Sequence, residues 1–303
     1  MKDRISVFYS TDDNFVYLTL VSMVSLLENT KEDVDIFILY SRLSQKAFSL
    51  LYSVKKYKHC RLSFVQIDEN WFRGFPLCGA VTLPTWYRVK IPDLFPELDK
   101  AIYLDCDTLV IGDIKELWNF DMKGASMAAA KMPAVEDARS NCIDLEMTSG
   151  NYINDGVLLI NCKKWREIDV FKQVQHFVEE NRSKYAFADE IVLNKILDED
   201  KTILPFKFNY QEIWFFKEGV EYEDYDMKEY REAAKNPVIV HFIGPKPYLC
   251  TNRQTYKSEW WRYAKMTEVY QFYLEKNFYN TEIMYEKLSK KLGHPFETIE
   301  ISN

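Results

Sequence analysis

Short apolar runs alternate with helix-patterned segments along most of the chain, and this alternation restricts the fold more than any other feature. Ile5 to Tyr9 reads as a buried strand. Asp13 or Asn14 then stands where a helix N-cap is needed, and Val16, Leu20, Val24 and Leu27 follow at helical spacing. Val34 to Leu39 is a second strand, Ser44 caps a second helix, and Leu62 to Ile67 is a third strand. Ala101 to Leu104, Ala125 to Ala130, Gly156 to Ile160 and Val238 to Phe242 are further strand candidates. Strands joined through helices return in the same direction. The pattern therefore predicts an α/β fold: right-handed βαβ units in a Rossmann-like, mixed but mainly parallel sheet flanked by helices.

The pattern changes near residue 250. From Tyr256 to Leu292 the spacing is helical, rich in Lys, Glu and aromatic residues, with no glycine before Gly293. The expected division is a catalytic, ligand-binding domain over 1–250 and a helical C-terminal extension over 251–303. The longest nearly apolar stretch, Phe15 to Leu27, is too short to span a bilayer, and no signal-type segment follows Met1. The expectation is a cytoplasmic protein whose C-terminal helices at most touch the inner membrane face. A net charge of −7 without a basic run argues against nucleic-acid binding. The six cysteines include no Cys-x-x-Cys pair, which disfavours zinc and redox motifs. Cys106 and Cys162 adjoin apolar runs and read as small buried thiols in a reducing compartment. Aromatics reach 16%; core filling is the larger part of that reading and sugar stacking the smaller.

Two strand ends carry chemistry. The strand Ala101-Ile102-Tyr103-Leu104 runs into Asp105-Cys106-Asp107-Thr108. Ligands of open α/β sheets gather at the carboxyl ends of strands, and two carboxylates held close there invite a cation. Hard oxygen donors suit Mn²⁺ or Mg²⁺, which would in turn accept diphosphate oxygens. An ordinary turn cap explains an isolated Asp-x-Asp equally well. A haloacid-dehalogenase-type sugar phosphatase also places two such aspartates at a strand end, but usually with Thr or Val two residues further on, where this chain has Leu109. The second strand end is His241-Phe242-Ile243-Gly244-Pro245-Lys246. A lone His is usually structural. Beside it, however, Gly244 permits close backbone approach and Lys246 offers a point charge for phosphate.

With these blocks in view the chain resembles family 8 glycosyltransferases, the group that includes bacterial lipopolysaccharide galactosyl- and glucosyltransferases and glycogenin. The resemblance runs from residue 4 to 250 with the blocks in the family's order. It implies the GT-A type of nucleotide-sugar fold. In Val7-Phe8-Tyr9-Ser10-Thr11-Asp12-Asp13-Asn14 it implies uracil and ribose contacts from Ser10, Asp12 and Asn14. Thr85-Trp86-Tyr87-Arg88-Val89 is similar to the block whose arginine meets the donor, which falls on Arg88. Asp105, Asp107 and His241 match the metal ligands, and Asp105 and Cys106 count among the donor contacts. Asn154, in Asn154-Asp155-Gly156-Val157-Leu158-Leu159-Ile160-Asn161, matches a contact to the donor sugar. Ala188-Asp189-Glu190-Ile191-Val192-Leu193-Asn194 resembles the block at the reaction centre, giving Asp189, Glu190 and Arg88 as catalytic candidates. Gly244 and Lys246 match the diphosphate contacts.

The resemblance implies a retaining transfer of glucose or galactose from a UDP-sugar to a glycan, lipid-linked saccharide or glycoprotein, with Mn²⁺ or Mg²⁺ as cofactor. Two departures stand out. Only Pro245 separates Gly244 from Lys246 where the family commonly has two residues, and Glu190 replaces a usual Gln. A carboxylate at 190 opens a double displacement beside the front-face route. A non-catalytic nucleotide-sugar or glycan-binding protein is the remaining alternative, and it should have lost a member of the set Asp105, Asp107, Asp189 and His241. The acceptor loops are expected at Asn70 to Leu83 and Met132 to Tyr152.

Overall fold

A computed structural model describes residues 4–77, 82–132, 135–181, 189–212, 226–275 and 290. The chain forms two compact units, Met1–His241 and Phe242–Asn303.

The first unit is built on a seven-stranded sheet. Its strands are β1 (Ile5–Ser10), β2 (Val34–Tyr40), β3 (Cys60–Gln66), β4 (Lys100–Leu104), β6 (Met127–Ala130), β7 (Val157–Asn161) and β8 (Lys201–Leu204) in the order β3-β2-β1-β4-β7-β6-β8. A separate antiparallel ribbon pairs β5 (Thr108–Val110) with β9 (Ile239–His241). In the large sheet β7 runs against both its neighbours, β4 and β6, and every other pairing is parallel. The sheet is thus mixed and mainly parallel, as the alternation of patterns requires. All six residues of β1 are buried, which is why a parallel strand covered on both faces reads as a continuous apolar run.

Two helices, α1 (Val16–Asn29) and α2 (Gln45–Tyr52), carry the chain from β1 to β2 and from β2 to β3. It then crosses back to place β4 on the other side of β1. The strand order therefore reverses between β1 and β4. Connections leave these neighbouring strands in opposite directions, which opens a crevice beyond their carboxyl ends. Ser10 closes β1, and Asp105 follows β4 directly.

Three details differ from the sequence reading. Neither Asp13 nor Asn14 caps α1. Asp12 Oδ1 accepts from the Asn14 and Phe15 amides at 2.8 and 3.1 Å, because β1 extends through Ser10 and Asp12 is the side chain able to fold back on the turn. Asp13 instead accepts the Ser44 amide at 2.9 Å and steadies the start of α2, whose N-cap Ser44 accepts from Ala47 as expected. The strands β5 and β8 were not anticipated; each is only three or four residues long, too short for a periodic signal.

The aromatic excess goes largely into packing. Trp86, Tyr87, Tyr103 and Trp165 are at most 1% exposed, and Phe8 stacks on Phe37 at 4.6 Å between ring centres. Burial of rings this large dominates the apolar contribution of a core. Cys162 is buried, whereas Cys106 is partly exposed.

In the second unit, Lys257–Ala264 is helical, and Trp260 and Tyr248 both pack on Tyr273, at 4.9 and 4.8 Å. Residues 276–289 and 291–292 of the expected helical stretch lie outside the described residues, as do 78–81 and 133–134 of the expected acceptor loops and Ala188. Among the described residues no helix is long and apolar enough to cross a membrane.

Candidate active site

The turn after β4 brings the two aspartates to one place. Thr108 donates from both its amide (3.2 Å) and its hydroxyl (2.8 Å) to the Asp105 carbonyl, closing a tight loop around Cys106. The Asp105 amide donates to the Gly156 carbonyl at 2.8 Å, tying the loop to the start of β7. The chain then enters β5, which pairs with β9 so that Thr108 lies opposite His241. This pairing carries His241 across more than a hundred residues to the aspartates.

One ligand atom from each of Asp105, Asp107 and His241 lies within 4.8 Å of the others. His241 Nε2 is 3.1 Å from Asp107 Oδ1 and 3.8 Å from Asp105 Oδ2. His241 is 3% exposed and Asp107 8%, so water screens the cluster little. Two carboxylates and an imidazole facing one another are rich in electron pairs and poor in protons. A hard or borderline divalent ion fits this donor set, with Asp105, Asp107 and His241 as its protein ligands.

Behind the cluster lies a buried guanidinium. Arg88 sits near the end of the 3₁₀ segment Leu83–Lys90 and is 1% exposed. It forms ion pairs with Asp105 (2.8 Å), Asp155 (3.0 Å) and Asp189 (2.9 Å), and donates to the carbonyls of Thr85 and Asp155. Its cationic carbon stands 4.2 Å over the ring of Tyr103. Burial opposes the charge on Arg88, but the three carboxylates outweigh it and hold the guanidinium more firmly protonated than usual. Burial also pushes the Asp155 and Asp189 carboxyls up, against the pull of Arg88, since a single cation serves three acids.

Asp189 and Glu190 open the helix Asp189–Ile196. Glu190 Oε2 accepts from Asn154 Nδ2 at 2.8 Å. Burial raises the Glu190 pKa to about 7, and neighbouring Asp189 adds to the effect, against the pull of the nearby Tyr152 hydroxyl and the hydrogen bond from Asn154.

The structure thus brings Arg88, Asp105, Asp107, Asn154, Asp189, Glu190 and His241 into one connected group, with Cys106 between the two aspartates. Ser10 belongs to the same strand-end region: Phe8 pairs with Tyr103, and two residues further along each strand come Ser10 and Asp105. Ser10 is buried, Asp12 is half-buried and Asn14 is exposed on the turn beyond β1. Gly244 and Lys246 belong to the second unit. Gly244 has φ +74° with open space around it, and Lys246 Nζ donates to the Phe242 carbonyl at 3.3 Å.

Three further residues of this group were not singled out from sequence. Asp155 and Gly156 stood inside a quoted block and could have been taken from it. Asn209 follows the short 3₁₀ turn Phe206–Phe208 and belongs to no motif; it is fully buried and accepts from His241 Nδ1 at 3.1 Å.

Residues 6–250 match the sequence family described as Glycosyl transferase family 8. General stress protein A of Bacillus subtilis is 28% identical over 278 residues, covering 88% of this chain and 96% of that protein. A lipopolysaccharide 1,2-glucosyltransferase of Escherichia coli K12 is 24% identical over 250 residues, covering 80% and 72%. Among solved structures, the galactosyltransferase LgtC in complex with donor and acceptor sugar analogues superposes with a TM-score of 0.76 at 24% identity, over 89% of this chain and all of that one. An active-site mutant of LgtC gives 0.77 over 87% and 96%. These likenesses establish the GT-A type of fold.

Proposed function

This chain belongs to glycosyl transferase family 8, and from that premise we propose that it is a retaining hexosyltransferase that moves glucose or galactose from a UDP-sugar to a surface glycan or glycoconjugate. As a glycosyltransferase of this family it uses a nucleotide-sugar donor, a glycan acceptor and a divalent metal. The observation that carries the finer reading is the convergence of Asp105, Asp107 and His241 beside the buried Arg88–Asp155–Asp189 ion cluster. Mn²⁺ is favoured over Mg²⁺ because an imidazole nitrogen joins the two carboxylates. When bound, the ion supplies charge neutralisation for the donor diphosphate and its departing UDP.

The chain's own residues account for the rest. Arg88 holds Asp105 and Asp189 in fixed orientation, so the metal end and the sugar end of the site share one rigid support. Asp189 and Asn154 present hydrogen-bonding groups to the hexose hydroxyls, and Ser10, Asp12 and Asn14 meet the nucleoside at the end of β1. The diphosphate role of Gly244 and Lys246 rests on their place in the motif. The transition state is oxocarbenium-like. Glu190, largely protonated below about pH 7, offers the same donor–acceptor pair as an amide and is a poor nucleophile. This favours the front-face route, in which a diphosphate oxygen takes the acceptor proton. The likeness to a lipopolysaccharide glucosyltransferase supports a lipid-linked or surface saccharide acceptor, met by a cytoplasmic enzyme that at most touches the inner membrane face.

A thermal-shift panel tests the reading. UDP should raise the melting temperature strongly only with Mn²⁺ present, since each ligand binds the folded state and completes the other's site. Absence of a joint shift contradicts the proposal.

A further inference from the structure

His241 and Glu190 stand at the two ends of a continuous chain of hydrogen bonds. Glu190 Oε2 accepts from Asn154 Nδ2 at 2.8 Å. Asn154 Oδ1 accepts from Asn209 Nδ2 at 2.9 Å and from the Gly156 amide at 3.2 Å. Asn209 Oδ1 meets His241 Nδ1 at 3.1 Å, and His241 Nε2 faces Asp107 at 3.1 Å.

The direction of every bond in this chain follows from one group whose role is not adjustable. The Gly156 N–H can only donate, so the atom of Asn154 facing it is the carbonyl oxygen. That oxygen also faces Asn209, which must therefore turn its NH₂ toward Asn154 and its own oxygen toward His241. An oxygen at that place demands a proton on His241 Nδ1, which leaves Nε2 with its lone pair directed at Asp105 and Asp107. In the other direction, the Asn154 NH₂ is left facing Glu190, to which it donates. A single backbone amide thus sets a histidine tautomer at one end and the polarity of a contact to an acid at the other.

We propose that Asn209 is a positioning residue that ties the metal end of the site to the sugar end, selecting the metal-binding tautomer of His241 while holding the Asn154 amide turned toward Glu190. The proposal rests on the metal-dependent reading above. Asn209 is built for the task. It is fully buried, and Tyr210 next to it is hydrogen-bonded to β9 on both sides, its amide donating to Ile239 at 2.9 Å and its carbonyl accepting from His241 at 2.8 Å. The backbone that carries Asn209 therefore moves with the backbone that carries His241. A metal-ligating imidazole whose other nitrogen is held in this way keeps its ring orientation and basicity.

Two substitutions separate the two ends. Asn209→Leu keeps the branched shape of the side chain and removes both contacts. It should weaken Mn²⁺ binding about ten- to hundredfold, read by the electron paramagnetic resonance signal of free Mn²⁺ without any donor present. Asn209→Asp keeps an acceptor for His241 Nδ1 but has no NH₂ for Asn154. It should hold Mn²⁺ within about threefold of the parent while UDP-hexose hydrolysis loses about tenfold or more in kcat, because the introduced carboxylate repels the Asn154 oxygen that the Gly156 amide holds beside it and so shifts Asn154 from Glu190. In the unsubstituted protein near pH 8, long-range proton–nitrogen NMR correlation should show His241 as the Nδ1–H tautomer; the chain has only four histidines to assign.

An Nε2–H tautomer for His241 overturns the proposal, as does a folded Asn209→Leu protein that binds Mn²⁺ like the parent. Should Asn209→Leu fail to fold, the tautomer and the Asn209→Asp variant decide the matter. A parent protein that binds no Mn²⁺ sinks the metal reading instead, while the tautomer measurement stands independently.

Discussion

Gly156 lies so close to His241 that a Cβ at position 156 would stand 2.2 Å from His241 Cε1 and 2.7 Å from Asp105 Oδ2. The absence of a side chain there gives the imidazole its place. Neither neighbour can yield easily, because Asn209 holds the ring and Arg88 holds Asp105. Gly156→Ala should therefore displace His241 and lower Mn²⁺ affinity at least tenfold, with a stability loss of about 1–3 kcal/mol typical of overpacking. Calorimetric Mn²⁺ titration beside a urea unfolding curve checks both; unchanged affinity would show that the ring has room to move.

Arg88 gives the strongest expectation for stability. Removing the cation in Arg88→Met leaves Asp105, Asp155 and Asp189 gathered around an apolar side chain. Breaking a buried pair in this way costs about 3–5 kcal/mol, and here three acids lose the same partner. The urea midpoint should fall accordingly at neutral pH. A loss below about 1 kcal/mol would mean that the carboxyls simply take up protons instead.

Asp107→Asn should separate fold from function. Asp107 Oδ1 and His241 Nε2 face each other at 3.1 Å, and an amide at that position can donate to a bare imidazole nitrogen. The metal-free melting temperature should match or exceed that of the parent. The joint shift with Mn²⁺ and UDP, and donor hydrolysis, should disappear. Normal turnover in this variant is the result that removes Asp107 from the metal set.

Glu190 makes the pH dependence specific. Its folded-state pKa is raised from 4.5 to about 7, chiefly by burial. The native state therefore keeps a proton that the unfolded chain releases. The stability associated with that proton is fully present below about pH 4.5 and is lost as pH rises through about 7. Glu190→Gln cannot ionise. It should match the parent near pH 4.5 and be more stable near pH 8, by on the order of 1–3 kcal/mol. On the front-face route this variant retains transfer activity; a glycosyl adduct trapped on Glu190 in the parent would establish the double displacement in its place.

Much of this grouping is legible in the sequence. Asp105 and Asp107 are one residue apart at the end of an apolar strand, so local chain geometry alone keeps them together, and a buried parallel strand such as β1 announces itself by an unbroken apolar run. Arg88, Asn154, Asp189, Glu190 and His241 stand out as candidates because each lies inside a motif with a recognisable neighbourhood. Asn209 lies in none. Its importance comes from a partner 32 residues later in the chain, and nothing periodic or compositional marks it. The expected cap of α1 fails for a related reason: Asp12, Asp13 and Asn14 are chemically similar, and where β1 stops decides that Asp12 bonds the turn while the helix itself starts after Phe15 without a side-chain cap.

The sequence by itself determined the alternation that builds a mainly parallel sheet, the strand ends at which polar residues collect, and the family. Those properties are local, set by side-chain patterns over a few residues. Tertiary structure alone decided that β5 pairs with β9 in the register placing Thr108 opposite His241, that Arg88 is buried among three acids, and that one glycine amide orients two asparagines and a histidine. Such outcomes depend on which distant groups come within hydrogen-bonding distance and which are shut away from water, and both are settled only when the whole chain packs.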